Sequence, residues 1–397
     1  MNDIKWQENK MPKTADKNLS IMSIEEVKKA KAFHESFPQY SNTPLAELKE
    51  MSKYLGLGAI KVKDESYRFG LNAFKVLGGS YSMAKYIAQK MGKDVSELPY
   101  DILVSKKLKD EFGQATFFSA TDGNHGRGVA WAANKLGQKC VIFMPKGTTE
   151  IRLNNILKEG ATATIEKYNY DECVRMAADA ASKVKNGVVI QDTAWEGYEE
   201  IPAWIMQGYG TMALESDEQF GEKPTHIFVQ AGVGSLAGAI VGYFSNKYKD
   251  NPPKMIVVEA SAAACLYKGA VAGDGNIRIV DGDLNTIMAG LACGEPNITS
   301  WDILKNHVDC FISAEDIIAA RGMRMLSAPL KGDAQVISGE SGAAPFGALA
   351  TIMLNDEYSE LRKKLDLNSN SKVLLFSTEG DTDPQRWKNI IWEAKNK

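Results

Sequence analysis

Short apolar segments alternate with longer helical segments through most of the chain, and this alternation constrains the fold more than any other feature. Apolar strands separated by helices of this length are typical of parallel sheets covered on both faces, with right-handed crossovers. Strands are predicted at 115–120, 140–144, 161–166, 188–191, 226–230, 255–259 and 373–376. Helices are predicted at 129–136, 150–157, 171–184, 204–220 and 236–248. The sequence therefore predicts an α/β fold with mostly parallel, twisted sheets flanked by helices.

The length of 397 residues is sufficient for two domains. We predict a small βαβ domain at 83–192 and a large domain formed by 1–82 and 193–397. The segment 91–113 is charged and has no clear period, so we expect a surface insertion in the small domain. Ligands of such sheets bind at the carboxyl ends of the strands. Motifs at those ends are therefore expected to share one cleft.

Composition excludes several classes of protein. The net charge of −3 gives no electrostatic reason to expect nucleic acid or an anionic membrane surface. Residues 1–17 are polar and lack the apolar core of a secretory signal, and no apolar run approaches the roughly 18 residues of a membrane span. The four histidines are far apart, so no metal centre is expected. A cytoplasmic protein without membrane or nucleic-acid partners is predicted.

The five cysteines are scattered through the chain and show no C-x-x-C spacing. An odd number of cysteines in a reducing compartment indicates free thiols. Cys265 and Cys293 bracket a glycine-rich stretch, and a disulfide between these two is the alternative.

One lysine, Lys75, stands among apolar and glycine residues in the segment 72–79, where a helix is expected to begin. Desolvation by apolar groups disfavours the ammonium form and leaves a nucleophilic amine, which a Schiff-base lysine requires. The alternative is a lysine whose stem is buried and whose head reaches water. The segment alone does not decide between these interpretations.

A glycine loop at 232–238 follows a predicted strand and opens a predicted helix. Glycines allow backbone N–H groups to approach an anion, and the helix N-terminus adds positive potential, so the loop suits a phosphate. Two alternatives remain open. Glu259, at the end of the next strand, is placed like the ribose-binding acid of a dinucleotide fold. A tight structural turn without a ligand is the other alternative.

The turn at 121–126 contains a hydroxyl, a carboxyl, an amide and an imidazole between a strand and a helix. These groups are Thr121, Asp122, Asn124 and His125, with Gly123 among them. Together with backbone N–H groups they offer donors for a substrate carboxylate and an ionisable base. The alternative is helix capping by Asp122 or Asn124.

Two further segments are weak evidence for a ligand site when taken alone. Residues 376–381 close the last predicted strand with hydroxyl groups, and 338–342 precede a predicted helix. Each is consistent with a simple turn or a capped helix start. Glu340, in the second segment, is placed to face a ligand instead.

Taken together, these segments resemble the pyridoxal-phosphate enzymes with the tryptophan synthase β-subunit fold, fold type II. The shared order begins with Thr43-Pro44-Leu45, Lys63-Asp64-Glu65 and Phe74-Lys75, and continues with the Gly-Asn-His turn, the glycine loop and a C-terminal hydroxyl. The resemblance extends over 40–383. It implies pyridoxal 5′-phosphate as cofactor, bound covalently by Lys75. It also implies cofactor contacts from Asn124, Gly232, Val233, Gly234, Ser235, Gly238, Glu340 and Thr378.

In more detail, the resemblance assigns Asn124 to the 3′-oxygen of the cofactor and the glycine loop to its phosphate. Thr378 contacts the pyridine nitrogen, with Ser377 as the less favoured choice. A hydroxyl at this position does not hold the nitrogen protonated, which favours prompt β-elimination over transamination. The resemblance also implies a homodimer and a small amino acid as substrate.

Within this group, the segments 69–75, 122–128, 191–198 and 377–383 are most similar to the diaminopropionate ammonia-lyases. These enzymes convert 2,3-diaminopropionate, as either enantiomer, to pyruvate and two ammonia molecules. The dehydratases have a small residue where this chain has Asp122. We hypothesise that Lys75 is the base on one face of the substrate and Asp122 the base on the other. Thr121, Gly123, Asn124 and His125 would bind the substrate.

Asp192 is the candidate for contact with the leaving amine, because a nearby carboxylate favours the ammonium form. Its alternative is an aspartate in a strand-end turn. A serine or threonine dehydratase on the same fold is the nearest alternative function. A nicotinamide-dependent oxidoreductase follows from the Glu259 interpretation. A non-catalytic amino-acid-binding regulator is disfavoured because Lys75 is retained.

Overall fold

A computed structural model describes residues 3–121 and 123–396 of the protein. The strands are β1 (Ile4–Glu8), β2 (Leu45–Glu47), β3 (Ala59–Asp64), β4 (Thr116–Ala120), β5 (Lys139–Met144), β6 (Thr162–Ile165), β7 (Gly187–Val189), β8 (His226–Gln230), β9 (Lys254–Ala260), β10 (Cys310–Ala314) and β11 (Lys372–Ser377). The helices are α1 (Ile24–Glu35), α2 (Lys49–Tyr54), α3 (Val76–Lys90), α4 (Tyr100–Leu103), α5 (Lys106–Phe112), α6 (Asn124–Lys135), α7 (Glu150–Lys158), α8 (Tyr170–Ser182), α9 (Glu200–Phe220), α10 (Ser235–Tyr248), α11 (Cys265–Ala272), α12 (Ile298–His307), α13 (Asp316–Ser327), α14 (Glu340–Leu354), α15 (Ser359–Leu365) and α16 (Pro384–Ile391).

The chain packs into two compact units. The first comprises Met1–Ile24, Asn42–Tyr67 and Met212–Lys397, and the second Glu25–Ser41 and Arg68–Thr211. These boundaries differ from the expected domain boundaries, since the second unit includes residues on both sides of 83–192. The small domain at 83–192 stays a prediction.

The first unit contains a seven-stranded sheet in the order β1-β10-β9-β8-β11-β3-β2. The five central strands run parallel, and β1 and β2 pair antiparallel at the two edges. Helices α13 and α14 pack so closely that a Cβ atom on Gly347 would lie 2.0 Å from the carbonyl oxygen of Ile318. The parallel order brings the carboxyl ends of β8 and β11 side by side.

The second unit contains a four-stranded, all-parallel sheet in the order β6-β5-β4-β7. Helix α8 covers one face through a small apolar cluster of Phe118, Ala177 and Ala181. Because β4 and β7 are neighbours, the turn after β4 and the segment after β7 lie at the same edge of the sheet. The polar residues described below lie at this edge, which is formed by the carboxyl ends of the strands.

The predicted α/β fold with parallel sheets is confirmed, and each strand predicted from an apolar segment is present among β4–β9 and β11. The edge strands β1 and β2 and the central strand β10 were not predicted, because their hydrogen-bond partners are distant in sequence. The segment 91–113 is more than a surface insertion, since it contains α4 and α5 and buries Leu98, Leu103 and Leu108. Within the described ranges, no helix combines the length and hydropathy needed to cross a membrane.

Candidate functional site

Lys75 and Asp192 form an ion pair in the second unit. Lys75 directly precedes α3, and Asp192 follows β7 by three residues. The Lys75 Nζ atom lies 2.6 Å from Asp192 Oδ2, and the two side chains are 21% and 8% exposed. The amine is therefore held at a defined position while part of the Lys75 side chain stays accessible.

The charge of Asp192 is set by opposing effects. Burial raises its pKa, but the positive charges of Lys75 and then His125 outweigh burial and lower the pKa to about 2. His125 Nδ1 lies 3.9 Å from the same carboxyl oxygen. Tyr209 is also close, and burial followed by the charge of Asp192 raises the pKa of its phenol. Asp192 is therefore a carboxylate at neutral pH.

The turn after β4 lies next to this pair. The Thr121 hydroxyl accepts hydrogen bonds from the backbone N–H groups of Gly123 at 3.0 Å and Gly126 at 3.2 Å. Thr121 thus closes the turn that precedes α6, whereas the alternative interpretation of the sequence was capping by Asp122 or Asn124. Asn124 is the first residue of α6. Asp122 lies outside the described residues.

His125 is fixed by a backbone carbonyl. Its Nε2 atom lies 2.9 Å from the carbonyl oxygen of Ile190. Because a carbonyl oxygen can only accept, Nε2 carries the hydrogen, and the other ring nitrogen is the one directed toward Asp192.

Gly128 brings α6 close to the backbone of Lys75. A Cβ atom at Gly128 would lie 2.7 Å from Val76 N and 3.0 Å from the Lys75 carbonyl carbon. Only glycine therefore allows this approach. The sequence did not single out Gly128, although it stands in the same glycine-rich segment as Asn124.

The glycine loop in the first unit leads from β8 into α10. Gly234 is the N-cap residue of this helix and has a φ of 102°, a left-handed conformation that glycine adopts without strain. Asn297 anchors the loop, since its backbone N–H donates to Val233 O at 2.7 Å and its side-chain amide donates to Ser235 Oγ at 2.8 Å. Sequence reasoning missed Asn297, which was recognisable only as a residue before a helix start. The N–H of Gly238 closes the first turn of α10 onto Gly234.

The two candidate hydroxyls after β11 have different partners. Thr378 Oγ1 lies 2.7 Å from the side-chain nitrogen of Gln230, the last residue of β8. Ser377 Oγ lies 2.8 Å from Ser338 Oγ instead. Glu340 forms an ion pair with Arg386, with 2.9 Å between Oε1 and Nε.

Glu259 does not have the environment of a ribose-binding acid. Its carboxyl oxygens accept the backbone N–H groups of Leu266 at 2.9 Å and Tyr267 at 2.6 Å at the start of α11. Burial raises the pKa of Glu259 to about 8. The residue is a buried helix cap, which weakens the nucleotide interpretation. All five cysteines are free thiols, Cys265 and Cys293 included.

The structure thus brings the predicted residues together in two groups. Lys75, His125 and Asp192 meet at the sheet edge of the second unit. The glycine loop and Thr378 lie at the carboxyl ends of adjacent strands of the first unit. In the part of the chain that the structure describes, no group of acidic, histidine and cysteine side chains is arranged to hold a metal ion.

Comparison with known sequences decides the class of this protein. The profile of the family described as "Pyridoxal-phosphate dependent enzyme" matches residues 37–379. The chain belongs to this family. The predicted enzyme class and cofactor are confirmed, and the nicotinamide alternative is disfavoured.

Three relatives refine this membership. A Salmonella typhimurium protein named diaminopropionate ammonia-lyase is 50% identical over 370 residues, covering 92% of this chain and 91% of the relative. The crystal structure of diaminopropionate ammonia lyase from Escherichia coli in complex with D-serine matches with a TM-score of 0.90 and 43% identity, covering 99% of this chain and 98% of that chain. An L-threonine dehydratase of S. typhimurium is 30% identical over 159 residues, covering 39% of this chain and 28% of the relative.

The residues of this pyridoxal-phosphate dependent enzyme fit the cofactor. The 14-residue helix α10 presents its N-terminus at the glycine loop, where a phosphate is favoured. Among the described residues, the buried atoms Gln230 Oε1 and Ser341 Oγ have no hydrogen-bond partner. Ser341 lies against Gly290, whose carbonyl oxygen in turn lies against Gly232. Buried polar atoms around a glycine loop are what a polar ligand satisfies.

Replacement of Gly128 by alanine tests the close packing behind Lys75. We expect Gly128→Ala to destabilise the protein by about 1–3 kcal/mol, because the added methyl group meets backbone atoms that cannot move aside. The matched control is Gly79→Ala in α3, whose Cβ atom would make an ordinary 3.4 Å contact with Val129. Alanine propensity alone favours either change by about 1 kcal/mol. Urea unfolding midpoints measure both effects, and equal midpoints would contradict the packing described.

Proposed function

We propose that this protein is a diaminopropionate ammonia-lyase that converts 2,3-diaminopropionate to pyruvate and two ammonia molecules. The observation that carries the proposal is the amine of Lys75 held 2.6 Å from a buried carboxylate, in a chain of the pyridoxal-phosphate family. This pair supplies a base and an adjacent negative charge, as elimination of an amine requires.

A serine or threonine dehydratase is the second candidate. The extent of similarity favours the lyase, since the relative named diaminopropionate ammonia-lyase matches 92% of this chain and the threonine dehydratase matches 39%. The presence of Asp192 beside Lys75 also favours an amine leaving group, because a carboxylate stabilises the ammonium form of that group.

Pyridoxal phosphate, when bound, supplies the electron sink that makes the substrate Cα proton removable. We propose that Lys75 is the residue that binds the cofactor covalently and that its Nζ atom also accepts the Cα proton. Asp192 holds Nζ in position and lies next to the leaving amine. His125 is fixed by Ile190 with a ring nitrogen directed at Asp192, and the positive charge of its protonated form favours the ionised carboxylate.

The remaining residues bind and orient the substrate and the cofactor. We propose that Thr121, Gly123, Asn124 and His125 contact the substrate carboxylate, and that Asn124 also contacts the 3′-oxygen of the cofactor. Gly232, Val233, Gly234, Ser235 and Gly238 hold the phosphate at the N-terminus of α10. Thr378 contacts the pyridine nitrogen. Glu340 stays a prediction as a cofactor contact, and its ion pair with Arg386 gives it a structural role as well.

Asp122 is proposed as the base on the face of the substrate opposite Lys75. This assignment rests on the sequence, because Asp122 lies outside the described residues. The complex of the E. coli relative with D-serine supports a site that admits a D-amino acid. A homodimer and a cytoplasmic location stay expectations from the resemblance and the sequence.

Borohydride reduction followed by peptide mapping tests the covalent assignment. We expect the pyridoxyl group on the peptide that contains Lys75, and no labelled peptide from Lys75→Ala. Lys85→Ala is the matched control, because Lys85 lies on α3 and pairs with Glu26, and it should keep the label. The same holoenzyme should release pyruvate faster from 2,3-diaminopropionate than from serine, and should form little 2-oxobutyrate from threonine. Faster turnover of serine or threonine would favour the dehydratase.

The two-base hypothesis predicts a loss of activity on one enantiomer of the substrate only. Asp122→Asn should lower turnover of D-2,3-diaminopropionate by about 10²–10⁴-fold, the usual contribution of a general base, and should spare most of the L activity. Asp110→Asn, an exposed aspartate on α5, is the control and should change neither rate. Equal losses on the two enantiomers would refute the hypothesis.

A further inference from the structure

Gln230 and Thr378 form a buried pair at the carboxyl ends of two adjacent strands. Gln230 is the last residue of β8, and Thr378 follows the last residue of β11. The two side chains are 1% and 3% exposed. Gln230 was not among the residues that the sequence indicated, and the proposed reaction assigns no step to it.

The orientation of the Gln230 amide follows from its two contacts. Its nitrogen lies 3.2 Å from the carbonyl oxygen of Phe376 and 2.7 Å from Thr378 Oγ1. A backbone carbonyl oxygen can only accept, so the NH₂ end of the amide must face it. The second N–H of that group then points at Thr378. Thr378 Oγ1 is therefore the acceptor in its contact with Gln230.

A hydroxyl group has one hydrogen and two lone pairs. Because a lone pair of Thr378 Oγ1 already receives the Gln230 N–H, the hydroxyl hydrogen points away from Gln230 and is available to a different acceptor. A pyridine nitrogen without a proton is such an acceptor, whereas a protonated pyridine nitrogen is a donor and needs a lone pair instead.

We propose that Gln230 is a positioning residue that orients the Thr378 hydroxyl so that its hydrogen is available to the pyridine nitrogen of the cofactor, which favours the unprotonated form of that nitrogen. The proposal rests on the proposed function, which places Thr378 at that nitrogen. In this proposal, Gln230 influences the protonation state of the cofactor ring by acting through Thr378. Gln230 is thus distinct from the residues that hold the phosphate.

Replacement of Gln230 by glutamate changes the group that faces Thr378 from a hydrogen-bond donor to an acceptor, and the side-chain volume is nearly unchanged. A carboxylate only accepts, so the Thr378 hydroxyl would donate to it and turn a lone pair toward the ring. Gln230→Glu should therefore favour a protonated pyridine nitrogen. Gln230→Met removes both N–H groups, so the side chain at this position no longer orients the Thr378 hydroxyl.

The protonation state of the pyridine nitrogen can be measured by ¹⁵N NMR of the holoenzyme reconstituted with ring-labelled pyridoxal phosphate. This measurement does not depend on turnover. In the unmodified enzyme we expect the shift of an unprotonated, hydrogen-bonded nitrogen, and in Gln230→Glu a shift toward the protonated form. Gln138→Glu is the matched control, since Gln138 is a buried glutamine that bonds Ala115 and Leu136. It should leave the shift unchanged.

A protonated nitrogen in the unmodified enzyme, or a shift that Gln230→Glu leaves unchanged, would overturn the proposal. If Gln230→Glu does not fold, Gln230→Met decides, and retention of the original shift in that variant would also overturn it. Failure of the proposed function is distinguishable, because the unmodified protein would then carry no pyridoxyl label at Lys75.

Discussion

The ion pair between Lys75 and Asp192 is the interaction on which the chemistry of this protein depends. Taking a carboxylate out of water is costly, and burial alone favours the protonated form of Asp192 by raising its pKa. The neighbouring ammonium of Lys75, at 2.6 Å, reverses that preference. The same contact fixes the amine at one place at the edge of the sheet. The ammonium of Lys75 and the carboxylate of Asp192 thus each favour the charged form of the other.

The parallel sheets explain why so few segments supply so many functional groups. Strands β4 and β7 are neighbours, so the turn at Thr121 and the carboxylate of Asp192 meet, although the two segments are far apart in sequence. Strands β8 and β11 are neighbours as well, and the glycine loop and Thr378 follow them. Helix α6 completes the arrangement through Gly128, which allows its backbone to touch that of Lys75.

Features that depend on local sequence could be predicted. Lys75 was recognisable from its apolar neighbours, and the glycine loop from its position between a strand and a helix. Features that depend on distant partners could not. Gln230 and Asn297 are ordinary polar residues until the fold places Thr378 and Ser235 beside them. Glu259 shows the converse, because its position resembled a ribose contact while its actual partners are backbone N–H groups of α11.

Titration of the Asp192 carboxyl carbon by ¹³C NMR in the cofactor-free protein tests the central ion pair most directly. Comparison with Asp192→Asn assigns the signal. We predict that the signal remains that of a carboxylate as the pH falls through 3.8, the ordinary pKa of an aspartate. In Lys75→Ala, where burial acts with less opposing charge, the midpoint should rise. A midpoint at or above 3.8 in the folded, unmodified protein would contradict the account.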